Sequence, residues 1–374
     1  MGQKILLKDI LFNKPRVAKI ADEIHRVHTS FKRKEFVNEV VNKFPVLELK
    51  ARISWITTCL KKYLPADYDR AVKILLKALP PPNNPELSDG DYGDFIYAPY
   101  AEYVARNGCT KKSLQLSLAA LYEMTQRFSA EDAIRYFINA FPKETLKELL
   151  AWTNDPHYHV RRLCSEGTRP KLPWSQKISI AITDPLPILN NLFADTTRYV
   201  TRSVANHIND ISKTDPDLAL ETLTGWRKLN KQTPEEMQFI IRHSLRSLVK
   251  QGNSNAMKLL GFEQNANFSF SKFRVAKQVR MNTPLQFSFT IQAPEDLNAV
   301  IDYILYFQNK AGKLNSKKVF KLTKLELTKN RAVNVSKSHM LRQYMTTRTL
   351  YPGKHEIEIQ INGMRLAKES FLLR

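Results

Sequence analysis

Apolar residues recur at helical spacing through roughly the first two thirds of the chain. Val17, Ile20, Ala21 and Ile24 fall at i, i+3, i+4 and i+7, and Phe36, Val37, Val40, Val41 and Phe44 are spaced in the same way. Each set therefore lines one face of a predicted helix. Pro15 and Pro45 mark helix boundaries. The spacing returns at Ala101 and Val104, and again at Leu114, Leu118 and Leu121. The longest interruption runs from Pro80-Pro81-Pro82-Asn83-Asn84-Pro85 to Asp89-Gly90-Asp91-Tyr92-Gly93. It is too rich in Pro, Gly and Asn for helix, and is predicted to wrap the outside of the helical array.

After Gly261-Phe262 the pattern becomes alternation. Leu285, Phe287, Phe289 and Ile291 alternate with Gln286, Ser288 and Thr290, and Ile357, Ile359 and Ile361 with Glu356, Glu358 and Gln360. Turn residues separate such runs at Thr283-Pro284, Pro294, Asn309-Lys310-Ala311-Gly312, Pro352-Gly353 and Asn362-Gly363, the last a strong hairpin signal. The pattern predicts a multidomain α and β protein. An all-α HEAT-like repeat solenoid over 1–262 is followed by an immunoglobulin-like β-sandwich over 266–374, without cysteine and so without an inter-sheet disulfide.

Inside the helical part the chain repeats itself. Val160-Arg161-Arg162, Val200-Thr201-Arg202 and Ile240-Ile241-Arg242 recur at a spacing of 40 residues. That is the length of a two-helix repeat whose units bury their apolar faces against their neighbours. Arg162, Arg202 and Arg242 then form a row on a curved surface. Residues four apart share a helix face, so the three helices present Arg162 and Glu166, then Arg202, Asn206 and Asp210, then Arg242, Arg246 and Lys250.

Charge says what such a surface binds. The 374 residues carry 58 Lys and Arg against 36 Asp and Glu, a net +22, and residues 266–374 alone hold 19 against 7. An excess of this size favours nucleic acid or an anionic membrane surface. With 43% hydrophobic and 10% aromatic residues the chain has material for a large core. No stretch approaches the roughly 20 apolar residues of a membrane span, and Met1-Gly2-Gln3-Lys4 lacks the apolar run of a signal peptide. Cys59, Cys109 and Cys164 are odd in number and scattered, with no metal-ligand or CxxC spacing, which predicts a reduced, cytoplasmic protein. Lysines on sandwich strands also guard sheet edges, but the density of charge there predicts a part in binding the polyanion.

The segment Arg161-Arg162-Leu163-Cys164-Ser165-Glu166-Gly167-Thr168-Arg169-Pro170-Lys171-Leu172-Pro173-Trp174 ends a helix at Gly167 and continues as a basic loop to a tryptophan. With Phe95-Ile96-Tyr97-Ala98-Pro99-Tyr100-Ala101-Glu102-Tyr103-Val104, Arg242-His243-Ser244-Leu245-Arg246 and Leu259-Leu260-Gly261-Phe262, it closely resembles the AlkC branch of the AlkC/AlkD DNA alkylation-repair glycosylases. The resemblance covers essentially the whole chain, the sandwich resembling the immunoglobulin-like module of some AlkC members. It implies a monofunctional enzyme of base excision repair. Such an enzyme excises cationic N-alkylated bases such as 3-methyladenine and 3-methylcytosine from duplex DNA by hydrolysing the N-glycosidic bond. It does so as a monomer, with no cofactor or metal, and without the usual extrusion of the base.

That chemistry needs a carboxylate near a sugar that becomes an oxocarbenium ion. Glu166 is the first candidate, Glu131 the second acid that the resemblance implies, and Asp210 a third. Each has a plainer reading. Glu166 is an i,i+4 partner for Arg162, Asp210 a solvated charge at a helix end, and Glu131 an acid in a first turn capped by Ser129 with Asp132 closing a capping box. Trp174 is expected to meet the cationic base through its ring, the plainer reading being a core tryptophan like Trp55, Trp152 and Trp226. Arg162, Arg169, Lys171, Arg202, Asn206, Arg242 and Arg246 are assigned to DNA contacts, with Arg162 also at the substrate. His157 and His159 are badly spaced for zinc, His243 reads as structural, and nothing marks Lys250 as a Schiff-base lysine. A catalytically inert lesion-binding scaffold is the alternative. The enzymatic reading expects Glu166 on the groove surface.

Overall fold

The structure is a computed structural model, and describes residues 6–86, 92–263, 266–345 and 348–374. Residues 1–4 and 89–91, read above as part of the N-terminus and of the proline-rich break, lie outside these. Among the described residues sixteen α-helices precede ten strands. The helices are Leu7–Leu11 (α1), Lys14–Val27 (α2), Arg33–Asn42 (α3), Leu49–Tyr63 (α4), Tyr68–Ala78 (α5), Ala98–Gly108 (α6), Leu114–Thr125 (α7) and Glu131–Ala140 (α8). They continue with Pro142–Trp152 (α9), Tyr158–Gly167 (α10), Leu186–Leu192 (α11), Arg198–Ile211 (α12), Pro216–Leu229 (α13), Pro234–Ser244 (α14), Arg246–Gln251 (α15) and Ser254–Leu259 (α16). None of the described helices is long and apolar enough to cross a membrane. Contacts divide the chain into two compact units, Met1–Ile211 with Gly225–Ser244, and Ser212–Thr224 with Leu245–Arg374.

The first unit is built from helices that bury the faces their spacing marks. Val17, Ile20, Ala21 and Ile24 of α2 are fully buried, and Asn13 caps the helix by accepting from the Arg16 amide. α3 stops at Asn42, and Phe44 lies in a separate 3-10 turn, because Pro45 has no amide hydrogen with which to carry the α-helical hydrogen bonds onward. α10, α12 and α14 pack successively against one another. Their repeated positions Val160, Val200 and Ile240 are all fully buried.

The proline-rich break is tied down on both sides of its middle. Asn83 donates its backbone amide to the Gln126 carbonyl at 2.9 Å, and Gly93 bridges Phe128 in antiparallel fashion. Gly93 has φ +76, and a Cβ there would lie 2.0 Å from the Arg127 carbonyl oxygen, so only glycine fits.

The second unit contains a sandwich. Its strands are Ser269–Val275 (β1), Gln278–Val279 (β2), Pro284–Gln292 (β3), Leu297–Gln308 (β4), Leu314–Leu327 (β5), Val333–Met340 (β6), Tyr344–Met345 (β7), Arg348–Thr349 (β8), Gly353–Ile361 (β9) and Met364–Leu373 (β10). One sheet has the order β1-β3-β6 and the other β2-β10-β9-β4-β5, antiparallel except for β2 against β10. Leu285, Phe287, Phe289 and Ile291 face Ile301, Tyr303 and Leu305 of β4 and Ile357, Ile359 and Ile361 of β9 in one core. Asn362 (φ 45) and Gly363 (φ 80) form the hairpin between β9 and β10, both positive as a two-residue turn demands.

The other face of β4 is also covered. Val300 packs with Met257 and Phe262 from the α16 end, and the Asn362 amide donates to the Glu263 carbonyl at 2.9 Å. The strand alternation begins near residue 266, but the segment from Leu245 packs with the sheet.

Candidate active site

Five charged side chains form an alternating chain through the first unit. Glu131 opens α8, Arg162 and Glu166 stand one turn apart on α10, Arg169 follows in the loop after Gly167, and Asp210 is the penultimate residue of α12. Arg162 Nη1 donates to Glu131 Oε2 at 2.5 Å, and its Nη2 lies 3.5 Å from Glu166 Oε1. Arg169 Nη1 donates to that same Glu166 oxygen at 2.7 Å, while its Nε and Nη2 reach Asp210 Oδ2 at 2.9 Å. Ser203 donates to Glu166 Oε2 at 2.6 Å, and Ser129 donates to Glu131 Oε2 at 2.6 Å. Three carboxylates and two guanidinium groups leave the chain with a formal charge of −1 inside a protein whose net charge is +22.

Burial decides what each member can do. Burial alone would raise the Glu166 carboxyl, but Arg162, Arg169 and the Ser203 hydroxyl outweigh it and hold it below the usual carboxylate range. Burial would equally lower the Arg162 and Arg169 guanidinium groups, and their carboxylate partners raise both instead. The Arg162 guanidinium also lies 4.6 Å from the centre of the buried Tyr199 ring, whose hydroxyl is pushed up to about 12 mainly by burial. The exposed Tyr92 packs edge-on to Tyr199 at 5.5 Å. Side-chain exposure is 27% for Glu131 but only 6% for Glu166 and 1% for Asp210.

These observations correct several expectations. Glu166 is not set on a groove surface but almost sealed in, and the carboxylates are not isolated, since each is bonded to arginine. Asp210 is no solvated helix-end charge. A carboxylate near a helix C-terminus opposes the dipole, and Arg169 compensates it. Arg169 itself, 8% exposed and bonded to two acids, is not presented to phosphates. Arg162 keeps its i,i+4 contact with Glu166 but spends Nη1 on Glu131 and Ser129. The capping box over Ser129 does not form: Ala130 occupies the cap position with no side-chain bond, and the Ser129 hydroxyl serves Glu131.

Trp174 stands apart from the cores. It is 84% exposed, whereas Trp226 is buried against Phe193, and Trp55 and Trp152 are half-buried. Its backbone is left-handed, φ 64, and the Ser175 amide reaches the Leu172 carbonyl at 3.4 Å. Proline at the second place and positive φ at the third give Leu172-Pro173-Trp174-Ser175 the form of a type II turn, where glycine is the favoured third residue. The loop is anchored from beneath by Arg135, which is fully buried and donates to the carbonyls of Gln176 at 2.7 Å, Gly167 at 2.9 Å and Arg169 at 2.8 Å. Gly167 lets α10 close on α8, since a Cβ there would sit 2.5 Å from Ile134 Cγ2.

The remaining expected contacts differ in exposure. Lys171 and Arg242 are exposed and Arg202 is half-buried. Asn206 Oδ1 lies 2.9 Å from His243 Nε2, which gives that histidine a structural partner. Arg246 and Lys250 lie on α15, a separate helix from the one that carries Arg242. The helix breaks at the buried Leu245, and α15 belongs to the second unit. His157 caps α10, its ring accepting from the His159 amide, and its Nε2 lies 2.9 Å from the Asn83 carbonyl oxygen. No described cluster of three or more His, Cys, Asp or Glu is placed to hold a metal. Sequence reasoning missed Tyr92, Tyr199, Ser203 and Arg135. The only signal for Arg135 is a lone charge among Ile134, Phe137 and Ile138.

A structure of Pseudomonas fluorescens alkylpurine DNA glycosylase AlkC bound to DNA containing an abasic site analog matches 99% of this chain and 100% of its own length. The match has a TM-score of 0.87 and 34% identity. The chain belongs to the AlkC family. The YhaZ protein of Bacillus subtilis (strain 168) is 31% identical over 362 residues, 96% of each chain. Residues 269–374 match the family described as the C-terminal Ig-like domain of YhaZ. The AlkC likeness therefore includes the helices that carry the carboxylate chain as well as the sandwich.

Proposed function

We propose that this chain is a monofunctional DNA glycosylase that hydrolyses the N-glycosidic bond of cationic N-alkylated bases, 3-methyladenine and 3-methylcytosine, in duplex DNA during base excision repair. The observation that carries the reading is the alternating acid–arginine chain with one carboxylate in excess, in a fold shared with AlkC along its whole length. A cationic base is already a good leaving group, and bond cleavage moves positive charge onto the sugar. A fixed negative site stabilises that charge without reorganising when it appears. Glu131, the most accessible of the three acids, takes the sugar-facing role that Glu166 holds on sequence grounds. Glu166 and Asp210 act behind it, fixing Arg162 and Arg169. A carboxyl held low keeps its charge at neutral pH and is a weak base, so Glu166 serves as an electrostatic support rather than a proton acceptor.

Trp174 offers an electron-rich ring to the cationic base, and an exposed ring suits a base that stays near the duplex. Lys171, Arg202, Asn206, Arg242 and Arg246 contact the DNA backbone. Residues 1–262 carry binding and catalysis, and the basic sandwich of 266–374 adds phosphate contacts, each worth about 0.9 in the salt slope. No cofactor enters, and the protein acts as a monomer in the cytoplasm. The burial of Glu166 favours one rival, an inert lesion-binding scaffold. Incubation with methylated duplex DNA decides between them. Wild type releases free methylated base, Glu131→Gln slows release by roughly 10² to 10³, and tight binding without any release establishes the scaffold instead.

A further inference from the structure

Trp174 is held in an unfavourable backbone conformation with its ring out in solvent, so packing of the indole does not explain its geometry. The explanation lies 124 residues away in sequence: Lys50 Nζ donates to the Trp174 carbonyl at 2.5 Å. Lys50 is itself paired with Asp132 Oδ2 at 3.1 Å, and the other Asp132 oxygen accepts from the Ser175 hydroxyl. Asp132 thus binds both the residue after Trp174 and the lysine that holds Trp174. It also directly follows Glu131, whose carboxylate belongs to the charged chain.

We propose that Lys50 and Asp132 are positioning residues of the reaction. They fix the left-handed turn that displays Trp174, and through consecutive positions in the first turn of α8 they tie that display to the Glu131 carboxylate. The inference rests on the reading of Trp174 as the contact for the alkylated base. Electrostatics explains why the clamp needs both members. An unpaired lysine beside the seat of a cationic base would repel it, and Asp132 neutralises that charge while leaving the Lys50 donor on the carbonyl. Backbone strain at an exposed aromatic, overdetermined by neighbours, is what a binding platform requires. Lys50 and Asp132 are both more than half exposed, so replacing them leaves the fold intact.

The test is single-turnover release of methylated base from duplex DNA, with affinity for an abasic-site duplex and thermal melting measured alongside. Lys50→Met lowers the release rate about tenfold, the scale of one cation–π contact, with affinity and melting nearly unchanged. Lys50→Arg, which can still donate to the carbonyl and pair with Asp132, restores the rate. Asp132→Asn, which bares the lysine charge, loses more than Ser175→Ala. Trp174→Ala combined with Lys50→Met is no slower than Trp174→Ala alone, because the clamp acts only through the indole. A Lys50→Met protein at the wild-type rate, or losses that add in the double variant, overturns the inference while leaving the glycosylase reading standing. A wild type that releases no methylated base removes both.

Discussion

Arg169 lies 2.9 Å from Asp210, and both side chains are almost closed to solvent. The same guanidinium serves Glu166 at 2.7 Å, so one cation balances two buried acids from two helices, α10 and α12. Removing it leaves both carboxylates buried with less compensation, a far worse state than an exposed broken pair. Arg169→Met is predicted to destabilise the protein by roughly 3–5 kcal/mol. Asp210→Asn keeps the shape and relieves one of the two acids, and costs less. Urea denaturation at neutral pH checks both. Equal losses for the two variants would show that Arg169 is not the centre of the network.

Trp174 supplies a second prediction because its turn works against the residue in it. A bulky L residue in the left-handed region costs roughly 1–2 kcal/mol, and an 84% exposed indole returns little through burial. Trp174→Gly is therefore expected to leave stability unchanged or raise it by up to about 1 kcal/mol, part of the relief being offset by the freedom glycine gains in the unfolded chain. Release of methylated base should fall in the same variant. A clear drop in melting temperature would mean that the indole is packed, not displayed.

What could be read from sequence was set by how local each signal is. The alternation of Leu285, Phe287, Phe289 and Ile291 reports one buried sheet face, and the strand follows it. Val160, Val200 and Ile240 mark the repeat because each faces the neighbouring helix. Asp210 escaped because α12 is packed by both α10 and α14. A helix covered on two sides buries polar positions that periodicity assigns to solvent. Val300 and Met257 show why the unit boundary differs from the change of pattern: a face of β4 that is apolar beyond alternation needs a cover, and α16 provides it. The contact between Lys50 and Trp174 leaves no trace in either local sequence. Glu131, Arg162, Glu166, Arg169 and Asp210, all singled out in the sequence, lie together in one ion-paired chain, but which of them faces solvent depends on packing that no spacing encodes.

His207 gives the site a pH dependence whose sign can be worked out. It is fully buried on α12, its Nδ1 donates to the Ser165 carbonyl at 3.1 Å, and its Nε2 has no partner among the described residues. Burial, opposed by that hydrogen bond and aided by Arg169, lowers it from 6.5 to about 4. Below 6.5 the unfolded chain takes up a proton that the folded protein refuses, so stability is complete above that pH and is lost as pH falls towards about 4. A gap of this width corresponds to about 3 kcal/mol at most. Ser165 directly precedes Glu166, so charging His207 strains the contact between α10 and α12 on which the carboxylate chain depends. The urea midpoint should fall between about pH 7.5 and about pH 5. His207→Asn, whose amide nitrogen can replace Nδ1 as donor, should flatten that fall even though it lowers stability at neutral pH by leaving a small cavity. An unchanged slope in the variant would assign the pH dependence to other groups, such as His157, which burial also lowers.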